Sequence, residues 1–476
     1  MSTLTERIQD ESADPGVRPA PPEARRLGSL DFGVLWGDLS IGILVAFTGA
    51  LLVPALGFPM ALLAIVVGSV LGCALLGLVG VAGAREGVPG MVLFRPLLGI
   101  RGSYLPTVLN VMQLVGWTAF ELWAMAVIAA RVGGDLFGLR SYAFWLVAVT
   151  VLCTALALGG PVVVVRRWME RFGAWVVAAV GLWITIALFA GGDLGGFWSR
   201  PGAGGFPGFW QGVDLVIVMP VSWLPLVADY SRFARAGVSS FAGTFTGYLA
   251  GNVWFYALGA LLVLAGGFTE KTPAGLASAI ASVAGGAVVL VALLVGETDQ
   301  AFADIYSTAV SAQNLNPRIR QRPGIAVVAA AGFGIALALG NDPAGGLGTY
   351  EYFLFLLGSV FVPLYGVFLA AYFVRGRRGF AEADLFAERG GAYWGTGGFR
   401  FGALVPWVTG FLVYHWCGAL APAWWMEAFS SATDAIGLPY PLFGGRLGAS
   451  IPAFVAAFAV ALPLSGPARS PAGSGG

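Results

Sequence analysis

Four carboxylates fall inside long apolar stretches: Glu121 in one, and Glu297, Asp299 and Asp304 in another. A charge at bilayer depth costs on the order of 2.5–3.5 kcal/mol on insertion scales, so acids persist there mainly beside a wet cavity, a cation or a polar substrate. Trp117 and Glu121 are four residues apart and share one helix face, a turn from each other. A flat heteroaromatic ring can stack on the indole while the carboxylate accepts hydrogen bonds from a ring N–H or an exocyclic amine. Gln113 extends the same stripe by one more turn. Glu297 and Asp304, at i and i+7, also share a face, whereas Asp299 is rotated away from Glu297. Three acids within eight residues suit proton coupling, because close acids cannot all ionise freely; a hard cation such as Na⁺ would also accept their oxygens.

The elements that position these residues are membrane helices. Of the 476 residues 58% are hydrophobic and 11% charged, with 71 glycines; the mean hydropathy is +0.81. Soluble domains carry about 25% charge, and the short alternating segments of a membrane β-barrel are missing. Residues 39–84 hold no charge and are long enough for two spans of about 20 residues, with Gly57-Phe58-Pro59 as the turn. Further runs follow at 103–130, 141–162, 171–192, 211–233, 240–267, 282–313, 324–341, 350–374, 401–420 and 447–466. The expected fold is an all-α polytopic membrane protein with about twelve transmembrane helices. Threaded with the N-terminus inside, 21 of the 26 Lys and Arg fall on the cytoplasmic side. The positive-inside rule then predicts cytoplasmic N- and C-termini in a cytoplasmic (inner) membrane.

Residues 1–30, polar and Pro-rich, are expected to be a disordered cytoplasmic tail without a cleavable signal pattern. Residues 31–192 form a first set of five helices, 211–374 a second, and 401–466 the last two; 467–476 is read as a disordered tail. Spans one and six both carry breakers, Thr48-Gly49 with Pro54 and Met219-Pro220 with Pro225. Paired interruptions in corresponding helices point to a transporter site at the membrane midplane, and five helices per half make the repeats inverted. Ser222 and Trp223 lie between the two prolines, where freed backbone groups can meet a ligand. Asp229 and Arg232 read as an end cap or gate, and Asp38 as an acid at the interface opening the first helix. Cys73, Cys153 and Cys417 fit packing roles. His415 is the sole histidine and too little for a metal site. The near-zero net charge argues against nucleic acid as a partner. The partners expected are a small heteroaromatic substrate, a monovalent cation and the lipid bilayer. No nucleophile–base pair, phosphate loop or zinc signature marks an enzyme.

Gly87-Val88-Pro89-Gly90-Met91-Val92 with Arg95, Gly99-Ile100-Arg101-Gly102-Ser103, Leu105-Pro106, Asn110, Gln113, Gly116-Trp117, Ala228-Asp229-Tyr230-Ser231-Arg232-Phe233 and Tyr393-Trp394-Gly395 occur in this order. Together they resemble the nucleobase:cation symporter 1 family of cytosine, allantoin and hydantoin permeases. Asn110 to Thr118, Ser222-Trp223-Leu224-Pro225 and Asp304 to Ala309 look closest to its hydroxymethylpyrimidine transporter branch, tied to thiamine precursor salvage. The resemblance implies a LeuT-type 5+5 inverted repeat plus two C-terminal helices, no organic cofactor, and import by alternating access coupled to Na⁺ or H⁺. It implies a pyrimidine-like ring as cargo, with a purine, allantoin, hydantoin or an amino acid as the alternative. It gives Trp117 the stacking role and Glu121 and Asp304 the polar edge, with Gln113, Ser222 and Trp223 beside them. Family members often carry Gln where Glu121 stands. Val295, Thr298 and Asp299 fall on the ion-site positions, joined by carbonyls of Val45 to Thr48 in the first helix.

Overall fold

A computed structural model describes residues 16–159, 172–191, 194–265, 273–284, 286–340, 343–376 and 379–464. Among the described residues the principal helices group into twelve spans, of which eight, or nine with the bent pair of span 1, are long and apolar enough to cross a membrane. Span 1 is the pair Ser29–Asp38 and Ile43–Leu51, bent by 61° at the gap between them. Then come span 2 (Phe58–Glu86), span 3 (Tyr104–Phe137), span 4 (Tyr142–Gly159) and span 5 (Ala174–Gly191). Span 6 is Phe209–Ser222 and Leu224–Ser231, hinged at Trp223; span 7 is Gly237–Leu264. Span 8 (Ala287–Leu315), span 9 (Gln321–Leu339), span 10 (Pro343–Leu369), span 11 (Leu404–Trp416) and span 12 (Ser450–Leu464) complete the set. Span 8 is long enough to cross, and its acids alone keep it from reading as a plain apolar span.

Packing sorts the spans into groups. Spans 1, 2, 6 and 7 pack on one another, spans 3, 4, 8 and 9 form a second group, and span 12 lies against spans 10 and 11. The interrupted spans belong to the first group and the acid-bearing spans 3 and 8 to the second. The candidate site therefore lies where the two groups meet, at the crossing of span 1 with spans 3 and 8.

The arginine-rich face differs from expectation. Residues 16–28, assigned above to a disordered tail, are packed: Val17, Ala20 and Leu27 are buried. Their backbone finds partners on the span ends, Ala20 N donating to Gly87 O at 2.8 Å, Leu27 N to Phe233 O at 3.0 Å and Arg235 N to Leu27 O at 2.9 Å. The buried guanidinium of Arg232 donates to Gly16 O, and to Tyr306 Oη at 3.2 Å. Pro-rich composition hides this, because the segment is held by main-chain bonds rather than by a helix of its own. Residues 1–15, the tail 467–476, and Arg166, Arg167 and Arg171 of the orientation argument lie outside the described residues. Beside this face Arg95, in the turn between spans 2 and 3, donates to Asn314 Oδ1 and Leu385 O, both at 2.9 Å, and burial pushes its pKa down to about 10.

Candidate functional site

The break in span 1 runs through Leu39 to Gly42, where no helix forms. The sequence expectation put it near Thr48-Gly49 and Pro54. That stretch is instead helical to Leu51, and Pro54 lies in the following turn. A broken helix leaves main-chain donors and acceptors without intrahelical partners, and span 8 supplies them. Ile43 N, at the start of the second half-helix, donates to Glu297 Oε1. A carboxylate at a helix N-terminus meets both the free N–H groups and the positive end of the dipole. On the other side of the gap Gln300 Nε2 donates to Ile41 O at 3.2 Å. Glu297 and Gln300 are three apart, hence on one face of span 8, and together they grip the break. Gly42 permits this approach: a Cβ there would overlap Gln300 Nε2 and press on Glu297 Oε1.

The acids gather in pairs around this point. Glu121 of span 3 and Glu297 are both at least 98% buried, and their carboxyl groups lie within hydrogen-bonding reach of each other. Asp38, the last residue of the first half-helix, lies within electrostatic reach of Asp299. It is 4% exposed, so its reading as an interfacial acid is corrected: the break carries it into the protein. Two carboxyl groups in contact cannot both be charged unless a proton or cation lies between them. Asp304 is also buried and within electrostatic reach of Glu121.

The cation positions divide. Thr298 Oγ1 lies 2.6 Å from Val295 O, so a hydroxyl and a carbonyl oxygen sit together one residue from the Asp299 carboxyl. Oxygen donors of this kind suit a hard monovalent cation. Val45 and Thr48, the positions expected from the first span, lie in its second half-helix. The Val45 carbonyl belongs to the interior of the second half-helix, and Thr48 Oγ1 is shared between Leu44 O at 2.8 Å and Tyr350 Oη at 2.9 Å. Within the break, Gly42 O accepts from Ala46 N at 3.0 Å and Ile41 O from Gln300 Nε2 of span 8 at 3.2 Å. Among the described residues no group of three His, Cys, Asp or Glu side chains has the geometry to hold a metal ion.

Trp117 is 6% exposed, its ring edge-on to Tyr350 at 6.1 Å and Phe353 at 5.2 Å in span 10. Phe120 touches the same two rings, so one aromatic cluster closes span 3 against span 10. Among the described residues Trp117 Nε1, Glu121 Oε2 and Gln113 Oε1 are buried polar atoms with no hydrogen-bond partner. Such atoms cost free energy unless something pairs with them. All three lie along the stripe that the spacing of 113, 117 and 121 anticipates. Gln113 also ties span 3 to the hinge of span 6: its Nε2 donates to Ser222 O at 3.0 Å and to Asn110 Oδ1 at 2.8 Å. Ser222 Oγ donates to Met219 O at 2.7 Å. Trp223 packs edge-on to Trp36 at 6.0 Å, so the two indoles have separate ring partners. The structure thus gathers Trp117, Glu121, Gln113 and Glu297 with the span 1 break, and it turns Trp223 toward the first half of span 1. Tyr350, Phe353 and Gln300 were not singled out from sequence. The i, i+3 spacing of Gln300 from Glu297 was the one available signal.

Residues 19–435 match the model of a family described as permeases for cytosine/purines, uracil, thiamine and allantoin. The hydantoin permease of Microbacterium maritypicum is 26% identical over 406 residues, 80% of each chain. The allantoin permease of Bacillus subtilis is 24% identical over 433 residues, 83% of this chain and 85% of that one. In fold, the chain resembles the transporter Mhp1 in a closed conformation with bromovinylhydantoin bound, at a TM-score of 0.78 and 21% identity, covering 96% and 98% of the two chains. A Na⁺-coupled sialic acid symporter shares the fold at a TM-score of 0.61 and 12% identity, covering 97% and 94%. The order of helices, the two interrupted spans and the family match agree: this chain is a LeuT-type transporter rather than an enzyme, and it belongs to the nucleobase:cation symporter 1 family of permeases for cytosine/purines, uracil, thiamine and allantoin.

Proposed function

We propose that this protein imports a pyrimidine-like ring, hydroxymethylpyrimidine or a cytosine-like base, by alternating access coupled to Na⁺ or H⁺. Trp117 stacks on the ring, Glu121 and Asp304 accept hydrogen bonds from its N–H edge, and Gln113 offers its free Oε1 to a further donor. The observation that carries this reading is the stripe of three unpaired buried atoms on spans 3, two of them acceptors, beside an indole. An aminopyrimidine brings several donors and a flat face, so it fits acceptors better than a ring bearing only carbonyls would. Names of the relatives favour small nitrogen heterocycles in general, and purines, allantoin or hydantoins remain the second reading. Val295, Thr298 and Asp299, with Asp38 and the carbonyls of the span 1 break, hold the coupling cation. The acid pairs support coupling to a positive ion, since like charges this close need a proton or a cation to be stable.

Alternating access follows from where these groups reside. Glu121 belongs to the spans 3, 4, 8 and 9 group, and the break belongs to the spans 1, 2, 6 and 7 group. A ring bound at Glu121 and a cation bound at Asp299 both act on the junction between them. Each ligand can shift that junction only through its differential affinity for the two arrangements. The arginine-rich face is then cytoplasmic. The test is uptake into proteoliposomes with imposed gradients: labelled cytosine or hydroxymethylpyrimidine accumulates under an inward Na⁺ or H⁺ gradient and not without one. Accumulation driven by neither ion, or displaced by amino acids but by no ring, removes the proposal.

A further inference from the structure

On the arginine-rich face, a half-open groove of about 300 Å³ lies where the ends of spans 10 and 12, the start of span 11 and the turn between spans 2 and 3 meet. Arg400 and Thr396 line it together with Leu97, Phe380, Phe401 and Leu464. Its polar wall is pinned by main-chain bonds. Thr396 and Phe399 exchange bonds of 3.0 and 3.1 Å across Gly397 and Gly398, both in the left-handed region at φ 63° and 96°. Arg101 N and Gly102 N donate to Gly398 O at 2.9 and 3.1 Å, and Arg400 N donates to Leu98 O at 2.7 Å. The Arg400 guanidinium is half-buried and donates through Nη1 to Pro96 O. One carbonyl leaves most of a five-donor fork, and all of its charge, unmet. Among the described residues Arg400 forms no ion pair. Burial lowers its pKa, as expected of a cation drawn out of water with no anion beside it.

We propose that this groove holds the phosphate of an anionic phospholipid, with Arg400 as its cation and Thr396 as a hydroxyl donor. The acyl chains have a place on the neighbouring helix. Val405, Val408 and Leu412 share one face of span 11, and Phe401, in the short helix Phe401–Ala403 that leads into it, continues that face. All four are 46–59% exposed, and on a chain that spans a bilayer such an apolar stripe meets lipid. From residue 401 to 412 the stripe runs about 16 Å at about 1.5 Å per residue. That is about half of a hydrocarbon core of about 30 Å, so the tails of one leaflet fit along it with the headgroup level with Arg400. The positive-inside rule sets this face against the anionic cytoplasmic leaflet. A soluble anion would use the cation and leave the stripe idle. A zwitterionic lipid would use the stripe and bring no net charge to the guanidinium.

The test is native mass spectrometry of the full chain, delipidated in detergent and titrated with dioleoyl phosphatidylglycerol or dioleoyl phosphatidylcholine. Phosphatidylglycerol should fill one tight site about tenfold better than phosphatidylcholine, the ratio expected for one charge-assisted contact. Arg400→Gln should erase that preference, and Arg400→Lys should keep most of it. Arg318→Gln, the same change at an exposed position outside the groove, should leave it unchanged. Val408→Ser should weaken both lipids severalfold. In the parent chain, phosphatidylglycerol carrying a mid-chain diazirine should label residues 405–412, a readout that stands even where Arg400→Gln fails to fold. Four results overturn the proposal. They are equal binding of the two lipids, equal loss of preference in Arg400→Gln and Arg318→Gln, labelling only outside span 11, and displacement of the lipid by millimolar inorganic phosphate. The second would mean diffuse attraction to the whole face, and the last a site for soluble anions.

Discussion

Spans 1 and 6 are both interrupted near the middle, and the two interruptions are satisfied by opposite kinds of group. At span 6 the carbonyl of Ser222 receives the neutral amide of Gln113, Ser222 Oγ turns back to Met219 O, and Pro225 removes a donor that would otherwise need a partner. At span 1 the break is held by Glu297 on Ile43 N and by Gln300 on Ile41 O, with Asp38 beside Asp299 and Glu121 beside Glu297. A neutral, locally completed hinge costs little to keep in one arrangement. A junction built from paired acids is stable only while something positive is present. In the proposed mechanism span 6 is the fixed wall, and the crossing of spans 1 and 8 is the part that responds to the coupling ion.

The comparison breaks most sharply at Glu297. Glu297→Ala leaves Ile43 N–H without its acceptor; we expect uptake to fall at least a hundredfold and the unfolding midpoint to drop, with about 1–3 kcal/mol lost. Glu297→Gln keeps an acceptor for Ile43 and should restore most of the stability but not the uptake. Equal damage from both variants in a thermal melt would mean that the charge, not the cap, holds the break. Next in size, Asp299→Asn should cut gradient-driven uptake more than tenfold, while ring binding measured without a gradient changes less than threefold. A parallel loss of both would place Asp299 in the ring site. Gln113→Leu strips Ser222 O of its donor; a cost of about 1–2 kcal/mol in stability and a severalfold rise in KM are expected, with the ion dependence unchanged. An altered ion dependence in that variant would contradict the division of labour between the two hinges. The smallest effect belongs to Ser222→Ala, whose hydroxyl only returns to its own helix: about 0.5–1 kcal/mol at most, with uptake close to that of the parent chain.

The helices themselves were legible because their signal is hydropathy and length, properties that each segment carries alone. The Trp117–Glu121 stripe was legible for the same reason, since a helix face follows from spacing. The break in span 1 was not. Thr48-Gly49 and Pro54 looked like breakers, yet Gly49 serves close packing, a Cβ there overlapping the backbone of Tyr256. The real gap at Leu39–Gly42 contains no proline and forms because Glu297 and Gln300, more than 250 residues away, satisfy its main-chain groups. Asp38 was misplaced as a consequence. Tyr350 and Phe353 escaped notice because aromatic residues in an apolar span look the same whether they face lipid or a site. Residues 16–28 were misjudged because composition reports whether a segment can fold by itself and says nothing of the span ends that hold it.

The central claim is that Glu121 reads the donor edge of a bound ring beside Trp117, and competition against labelled cytosine in wild-type and Glu121→Gln proteoliposomes tests it most directly. Replacing one carboxylate oxygen by an amide turns an acceptor into a donor at nearly constant shape. Rings with an N–H or amine edge should lose about tenfold in affinity, while rings presenting a carbonyl there hold or gain. An unchanged ranking across the panel would contradict the account and leave Glu121 as a structural partner of Glu297.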